Sequence, residues 1–192
     1  MAIKLRNSIF LHIPKTGGKT VSDILINHCR GKYIGHYIYD AHNIPERMDE
    51  ANYFCFVRRP AHFAHSLWYH RSRKKDNKFG QRWNWQPNEL ENVCQDSNYV
   101  KFMGKVANNP GIVLRYYNHY ILSKKNMLVG RLEFLGADLF KILYTYGESI
   151  NNINFTDLSH LGKGNFNHPV HKKWIKQIER GERELIEKYY SC

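Results

Sequence analysis

The stretch Ser8-Ile9-Phe10-Leu11-His12-Ile13-Pro14-Lys15-Thr16-Gly17-Gly18-Lys19-Thr20 decides the fold. An apolar run breaks into a loop marked by proline and paired glycines, and a helical pattern then begins near Lys19, so the segment reads as strand, loop and helix. Paired glycines let backbone N–H groups turn inward. The first turn of the following helix adds N–H groups with no intrahelical acceptor and the positive end of the helix dipole. A phosphate-like anion is the guest that suits such a loop.

One comparison separates the phosphate chemistries. A triphosphate-binding loop of the form G-x-x-x-x-G-K-[ST] would end on Gly18-Lys19-Thr20 and would need glycine at position 13, where this chain has isoleucine followed by Pro14. The lysine at the strand's exit is Lys15. Lys19 keeps an ATP-dependent kinase as the alternative reading.

Outward from the loop, Val21, Ile24, Leu25 and His28 recur at helical spacing as far as Gly31. Tyr33 to Tyr39 is aromatic and β-branched enough for a second strand, with Asp40 to Asn43 as its exit and a short helix from Pro45. Tyr53-Phe54-Cys55-Phe56-Val57 is a short continuous apolar run, as expected of a strand buried on both faces of a parallel sheet, and Pro60 opens a helix through Phe63, Leu67 and His70. Strand, loop and helix thus occur twice, which predicts βαβ units with ligands gathering at the carboxyl ends of the strands.

Further along, His70 to Arg82 reads as a basic exposed loop and Pro87 to Lys105 as helical, while the Tyr-rich segment Ile112 to Leu122 takes no clear assignment. Met127 to Glu133 reads as a strand, Ala137 to Tyr146 as a helix and Thr156 to His168 as a loop. Pro169 to Tyr190 reads as one amphipathic helix burying Trp174, Ile178, Leu185, Ile186 and Tyr189. There is no internal repeat.

With 192 residues and 42% hydrophobic content the chain suffices for one buried core, and a single domain over 1–192 is expected. The net charge of +12 favours anionic ligands without naming one. Cys29, Cys55, Cys94 and Cys192 are far apart, which fits a reducing compartment better than a disulfide framework, and Cys55 reads as core. No stretch is long enough to span a membrane and none reads as a signal peptide. A soluble cytoplasmic protein of bacterial or viral type is expected, unless the chain is a trimmed piece of an anchored enzyme.

The second informative stretch is Phe56-Val57-Arg58-Arg59-Pro60 with Ser66 on the helix that follows. Geometry alone does not say how Arg58 and Ser66 converge. Together with Pro14-Lys15-Thr16-Gly17-Gly18, however, the stretch resembles the nucleotide-binding motifs of the sulfotransferases that use 3′-phosphoadenosine 5′-phosphosulfate. In that family the first loop holds the 5′-phosphosulfate, and an arginine with a serine eight positions on holds the 3′-phosphate. Lys19, Arg59 and Phe63 depart from the family's usual Thr or Ser, Asn and Arg.

Val129 to Glu133 with Asp138-Leu139-Phe140, and Ser159-His160-Leu161-Gly162-Lys163, are similar to later segments of the carbohydrate sulfotransferases, nearest to the heparan or uronyl 2-O type. The resemblance implies an α/β, P-loop-like three-layer fold with a central, mainly parallel sheet flanked by helices. It implies transfer of a sulfuryl group from the donor to an acceptor hydroxyl, with a carbohydrate as acceptor class and adenosine 3′,5′-bisphosphate as product. Its site would comprise Lys15, Thr16, Gly17, Gly18, Lys19, Thr20, Arg58 and Ser66, with Lys163 on a loop closing over the nucleotide.

Lys15 is the candidate for charge on the departing phosphate oxygen, and His42 for the base, with His36 the close alternative and Glu46 a distant one. No metal is required. His62 with His65 and His168 with His171 have helical metal-ligand spacing, but no carboxylate or cysteine nearby completes a site. Arg131 reads as a structural ion-pair residue for Glu133 or Asp138, and Trp83 and Trp85 as packing residues. A basic binding protein for nucleic acid or sulfated polymer is the non-enzymatic alternative, and a nucleic-acid partner is not expected.

Overall fold

The computed structural model describes residues 2–35, 51–72, 88–121, 126–160 and 171–191. The chain divides into two compact units, one of residues 1–58 and 119–165 and one of 59–118 and 166–192.

The first unit is built on a five-stranded sheet in the order β3-β1-β2-β4-β5. Its strands are β1 (Ala2–Lys4), β2 (Ser8–Leu11), β3 (Lys32–Gly35), β4 (Asn52–Val57) and β5 (Met127–Arg131). β2 pairs parallel with β4 and β4 with β5, while β1 pairs antiparallel with both β2 and β3. The sheet is therefore mixed, yet β2, β3, β4 and β5 all run one way and β1 alone is reversed. The sequence reading missed β1, because three residues are too few to show a period.

α1 (Gly18–His28) joins β2 to β3, and α6 (Leu135–Thr145) follows β5 through a single 3₁₀ turn at Leu132–Phe134. Val21, Ile24 and Leu25 of α1 and Leu135, Leu139, Ile142 and Leu143 of α6 join Ile3, Phe10, Phe54 and Phe56 in one core, so both helices lie on the same sheet face. His28, at the end of the α1 stripe, is exposed instead. Full burial of each such aromatic contributes about 1.5–3 kcal/mol. The opposite face holds Ala2, Ile9 and Tyr53, also buried. Burial on both faces is why β4 reads as an unbroken apolar run. At the strands' amino ends, buried Glu148 accepts the Asn7 N–H and the Ser8 hydroxyl, each at 2.8 Å.

The second unit is helical: α2 (Pro60–Ser72), α3 (Glu89–Cys94), α4 (Tyr99–Ala107), most of α5 (Ile112–Ile121), α7 (Lys172–Gly181) and α8 (Arg183–Tyr190). The helix expected from Pro87 to Lys105 is two, because Asn88 and Asn98 each cap a new start by accepting an N–H of the first turn, from Glu91 and Lys101. The last helix is also two. Glu182 leaves the helical path at the joint, where its carboxylate accepts the N–H groups of Val113 and Leu114.

The Tyr-rich segment is helical because Tyr116 and Tyr117 pack edge-on or tilted against Phe63, with ring centres 5.0 Å apart. Trp174, Ile178 and Leu185 are buried as expected, whereas Ile186 and Tyr189 are half-buried. Among the described residues no helix is long and apolar enough to cross a membrane.

Candidate anion site at the carboxyl ends of the parallel strands

From β2 the chain crosses through α1 to β3 on one side of the sheet, whereas from β4 it reaches β5 on the other. The boundary between β2 and β4 is therefore a topological switch point, the place where open α/β sheets leave a crevice at their carboxyl ends. The loop 12–17 leaves one side of that boundary and Arg58 the other.

The loop's shape follows from three residues. Ile13 is fully buried and anchors it. The buried Thr16 hydroxyl donates to the Ile13 carbonyl at 2.8 Å, so its proton serves loop closure. Lys15 takes φ 66° and Gly17 φ 81°, and a non-glycine residue with left-handed backbone is a strained feature of the kind that collects at functional sites.

Gly17 is the N-cap of α1, with φ 81° and ψ 10°, and helical Gly18 follows directly. A left-handed residue followed by a right-handed one turns successive N–H groups toward a common point, a backbone nest for an anion. The helix ladder starts only with the Val21 N–H on the Gly17 carbonyl at 3.1 Å. Among the described residues no protein acceptor takes the N–H of Gly17, Gly18, Lys19 or Thr20. These N–H groups lie at the positive end of the α1 dipole, on the helix that follows β2.

Glycine is required at both positions by contact as well. A methyl group on Gly17 would overlap the Leu132 side chain just beyond β5, and one on Gly18 would overlap the imidazole of His12. His12, half-buried at the exit of β2, is a site residue that the sequence reading did not single out. Its signal was present: a titratable ring two positions before Pro14 in a run otherwise apolar.

Arg58 continues β4 past Val57, whose register partner is Arg131 of β5, and its side chain is buried. Arg131 grips Asp138 with Nε at 2.8 Å and Nη2 at 3.0 Å, and its backbone N–H donates to the same carboxylate at 2.7 Å. That is the ion pair expected of it. Lys15, Lys19 and Arg58 all follow the carboxyl ends of β2 and β4.

Arg59, adjacent in sequence, belongs to the helical unit, where it reaches Glu179 at 3.1 Å and lies over the Tyr190 ring. Ser66 is also in that unit, buried on α2. His36, His42, Glu46 and Lys163 lie outside the described residues. His65 is tied through Nδ1 to the Tyr99 hydroxyl at 3.0 Å, and among the described residues no cluster of three His, Cys, Asp or Glu suited to a metal occurs. Cys29, Cys55 and Cys94 are free and buried, and burial pushes each thiol well above its ordinary range.

No protein-family model, curated protein or solved structure matches the chain.

Proposed function

We propose that the protein is a sulfotransferase that moves a sulfuryl group from 3′-phosphoadenosine 5′-phosphosulfate to an acceptor hydroxyl, with carbohydrate as the acceptor class. The observation that carries this reading is the row of open N–H groups from Gly17 to Thr20, set at a switch point that Arg58 also borders. Such a cradle fits a compact tetrahedral anion. Buried Ile13, where a triphosphate loop needs glycine, weighs against the kinase alternative. The finer fold proposal, a P-loop-like three-layer arrangement, agrees with β2-loop-α1 as the phosphate-binding unit.

In this reading the nest and Lys15 hold the 5′-phosphosulfate, with Lys15 countering charge on the departing phosphate oxygen, and Arg58 binds the 3′-phosphate. The phosphate leaves as a stable anion, so positioning and charge carry most of the rate, as in phosphoryl transfer. His42, or His36 in its stead, takes the acceptor's proton, and Lys163 belongs to a segment closing over the nucleotide. The proposed location is the cytoplasm.

A thermal-shift comparison tests it. Adenosine 3′,5′-bisphosphate at about a hundred times its dissociation constant should stabilise the native state by about 2.7 kcal/mol, and Arg58→Ala should abolish the shift. A shift with ATP and Mg²⁺ alone would overturn the sulfotransferase reading in favour of a kinase. A shift with neither would favour a basic polyanion-binding protein, whose affinity for polymer should fall steeply with salt and ignore Lys15→Ala.

A further inference from the structure

The outer face of α7 carries one sign of charge. At about 100° per residue, Lys172, Lys176, Arg180 and Lys173 fall in turn within about 100° of arc, and Lys172 to Arg180 spans about 12 Å of helix axis. Buried Trp174 and Ile178 lie across the helix from the middle of that arc. All four cations are exposed, and none has a carboxylate partner among the described residues. Glu179 sits just outside the arc and reaches Arg59 at 3.1 Å. Glu184, four positions beyond Arg180, comes after the break at Glu182.

Solvation alone does not call for such a face. The next helix, α8, shows the ordinary mixture: Arg183 pairs with Glu187 at 2.6 Å, and Glu184 stands four positions before Lys188. On α7 lysines take the first two helical positions, against the positive end of the helix dipole, with no acidic residue in the first turn and no side-chain cap. Helix stability is given up there for a run of like charge.

We propose that this face of α7 binds double-stranded nucleic acid through its phosphates, without reading base sequence. Four cations over about 12 Å is a dense row, and a duplex, with one phosphate per about 1.7 Å of axis, is a polyanion dense enough to meet it. Single strands are held by aromatic rings on which bases stack, and the one aromatic residue of α7, Trp174, is buried. Helices that lie on a bilayer offer it an apolar edge, and no apolar residue lies on the arc. The net charge of +12 gives only the sign of a partner, which is why the sequence reading expects no nucleic acid; the arc adds density and placement. The face belongs to the helical unit and does not depend on the reading of the loop as an anion cradle.

The test is fluorescence anisotropy with a labelled DNA duplex of about 20 base pairs and arbitrary sequence, titrated at several salt concentrations. Each neutralised phosphate contributes about 0.9 to the slope of log affinity against log salt, so the four cations together should contribute about 3.6. Replacing all four by glutamine should lower the slope by about that amount and weaken binding at least tenfold at about 50 mM salt. Glutamine is a good helix former, and far-UV circular dichroism checks that the variant folds. The double variant Lys176→Gln with Arg180→Gln should lower the slope by about half as much.

A charge-matched control replaces exposed Lys4, Arg6, Lys101 and Lys141 by glutamine and should leave the slope within about one unit of the wild type. An equal fall in that control would overturn the proposal, since binding would then follow net charge and not this face. An unchanged slope in the α7 variants would overturn it as well. Binding of the wild type to phosphatidylserine vesicles or to heparin, with none to the duplex, would assign the face to a lipid surface or an acidic polysaccharide instead. Absence of binding to all three would leave the row of cations as solvated surface and the proposal refuted.

Discussion

Glu182 accepts the backbone N–H of Val113 at 2.8 Å, and its second oxygen takes that of Leu114 at 3.0 Å, so a side chain at the joint of α7 and α8 caps the start of α5. The carboxyl group is almost fully buried. Burial pushes its pKa up from 4.5 to about 7, the two N–H groups and Arg115 pulling down and Glu184 pushing up.

A carboxyl group whose pKa is raised by folding binds its proton more tightly in the native state. Its contribution is fully present below about pH 4.5 and is lost as pH rises to about 7. The shift corresponds to about 3 kcal/mol. In urea titrations from pH 4.5 to 7.5, wild-type stability relative to Glu182→Gln should fall by about that amount. Parallel curves for the two proteins would show that the joint does not titrate.

The Arg71–Glu91 pair is a second buried charge system. Oε1 of Glu91 accepts from Nε of Arg71 at 3.0 Å and also from Nη2, while Oε2 has no hydrogen-bond partner. Arg71→Met should cost about 3–5 kcal/mol by stranding the carboxylate, and adding Glu91→Leu should recover most of that loss. Chemical denaturation of the two variants decides; a double variant no more stable than the single would refute the expectation.

Gly130 of β5 leaves room for Phe56 of β4. An added Cβ would stand 2.5 Å from one ring carbon and 2.8 Å from another, with Ile142 at 3.1 Å. Gly130→Ala should therefore destabilise by about 1–3 kcal/mol through overpacking. In a double-mutant cycle with Phe56→Leu the penalty should shrink, and strict additivity would place the cause elsewhere.

Lys15 separates stability from binding. Lys15→Gly removes left-handed strain at φ 66° of order 1 kcal/mol and adds unfolded-state entropy of similar size. Its melting temperature should hardly move while bisphosphate binding is lost. A large fall in stability with binding retained would make Lys15 a structural residue.

Legibility in the sequence followed how local the physics was. β4 and the β2-loop-α1 unit were readable because their signals are contiguous: five apolar residues in one case, Pro14 with Gly17 and Gly18 in the other. The break at Glu182 was not, since it depends on N–H groups some seventy positions upstream. α5 was obscured because its tyrosines are specified by Phe63 of another helix. Within the candidate site the loop residues and Arg58 were legible, and the division of labour among them was not. Thr16 spends its hydroxyl proton on Ile13, and the position of His12 over Gly18 is a packing fact with no periodicity to announce it.

The reversed strand β1 gives the sheet an unusual dependence. Residues Ala2 to Lys4 carry both ladders that fasten β3 to the rest, one to Leu11-Phe10-Ile9 and one to Gly35-Tyr33-Lys32. β3 receives the chain leaving α1, so the helix that begins at the cradle is tethered at its far end by three residues near the start of the chain. Trimming as far as Leu5, or fusing a stiff partner there, would loosen an anchor on the opposite end of α1 from the anion.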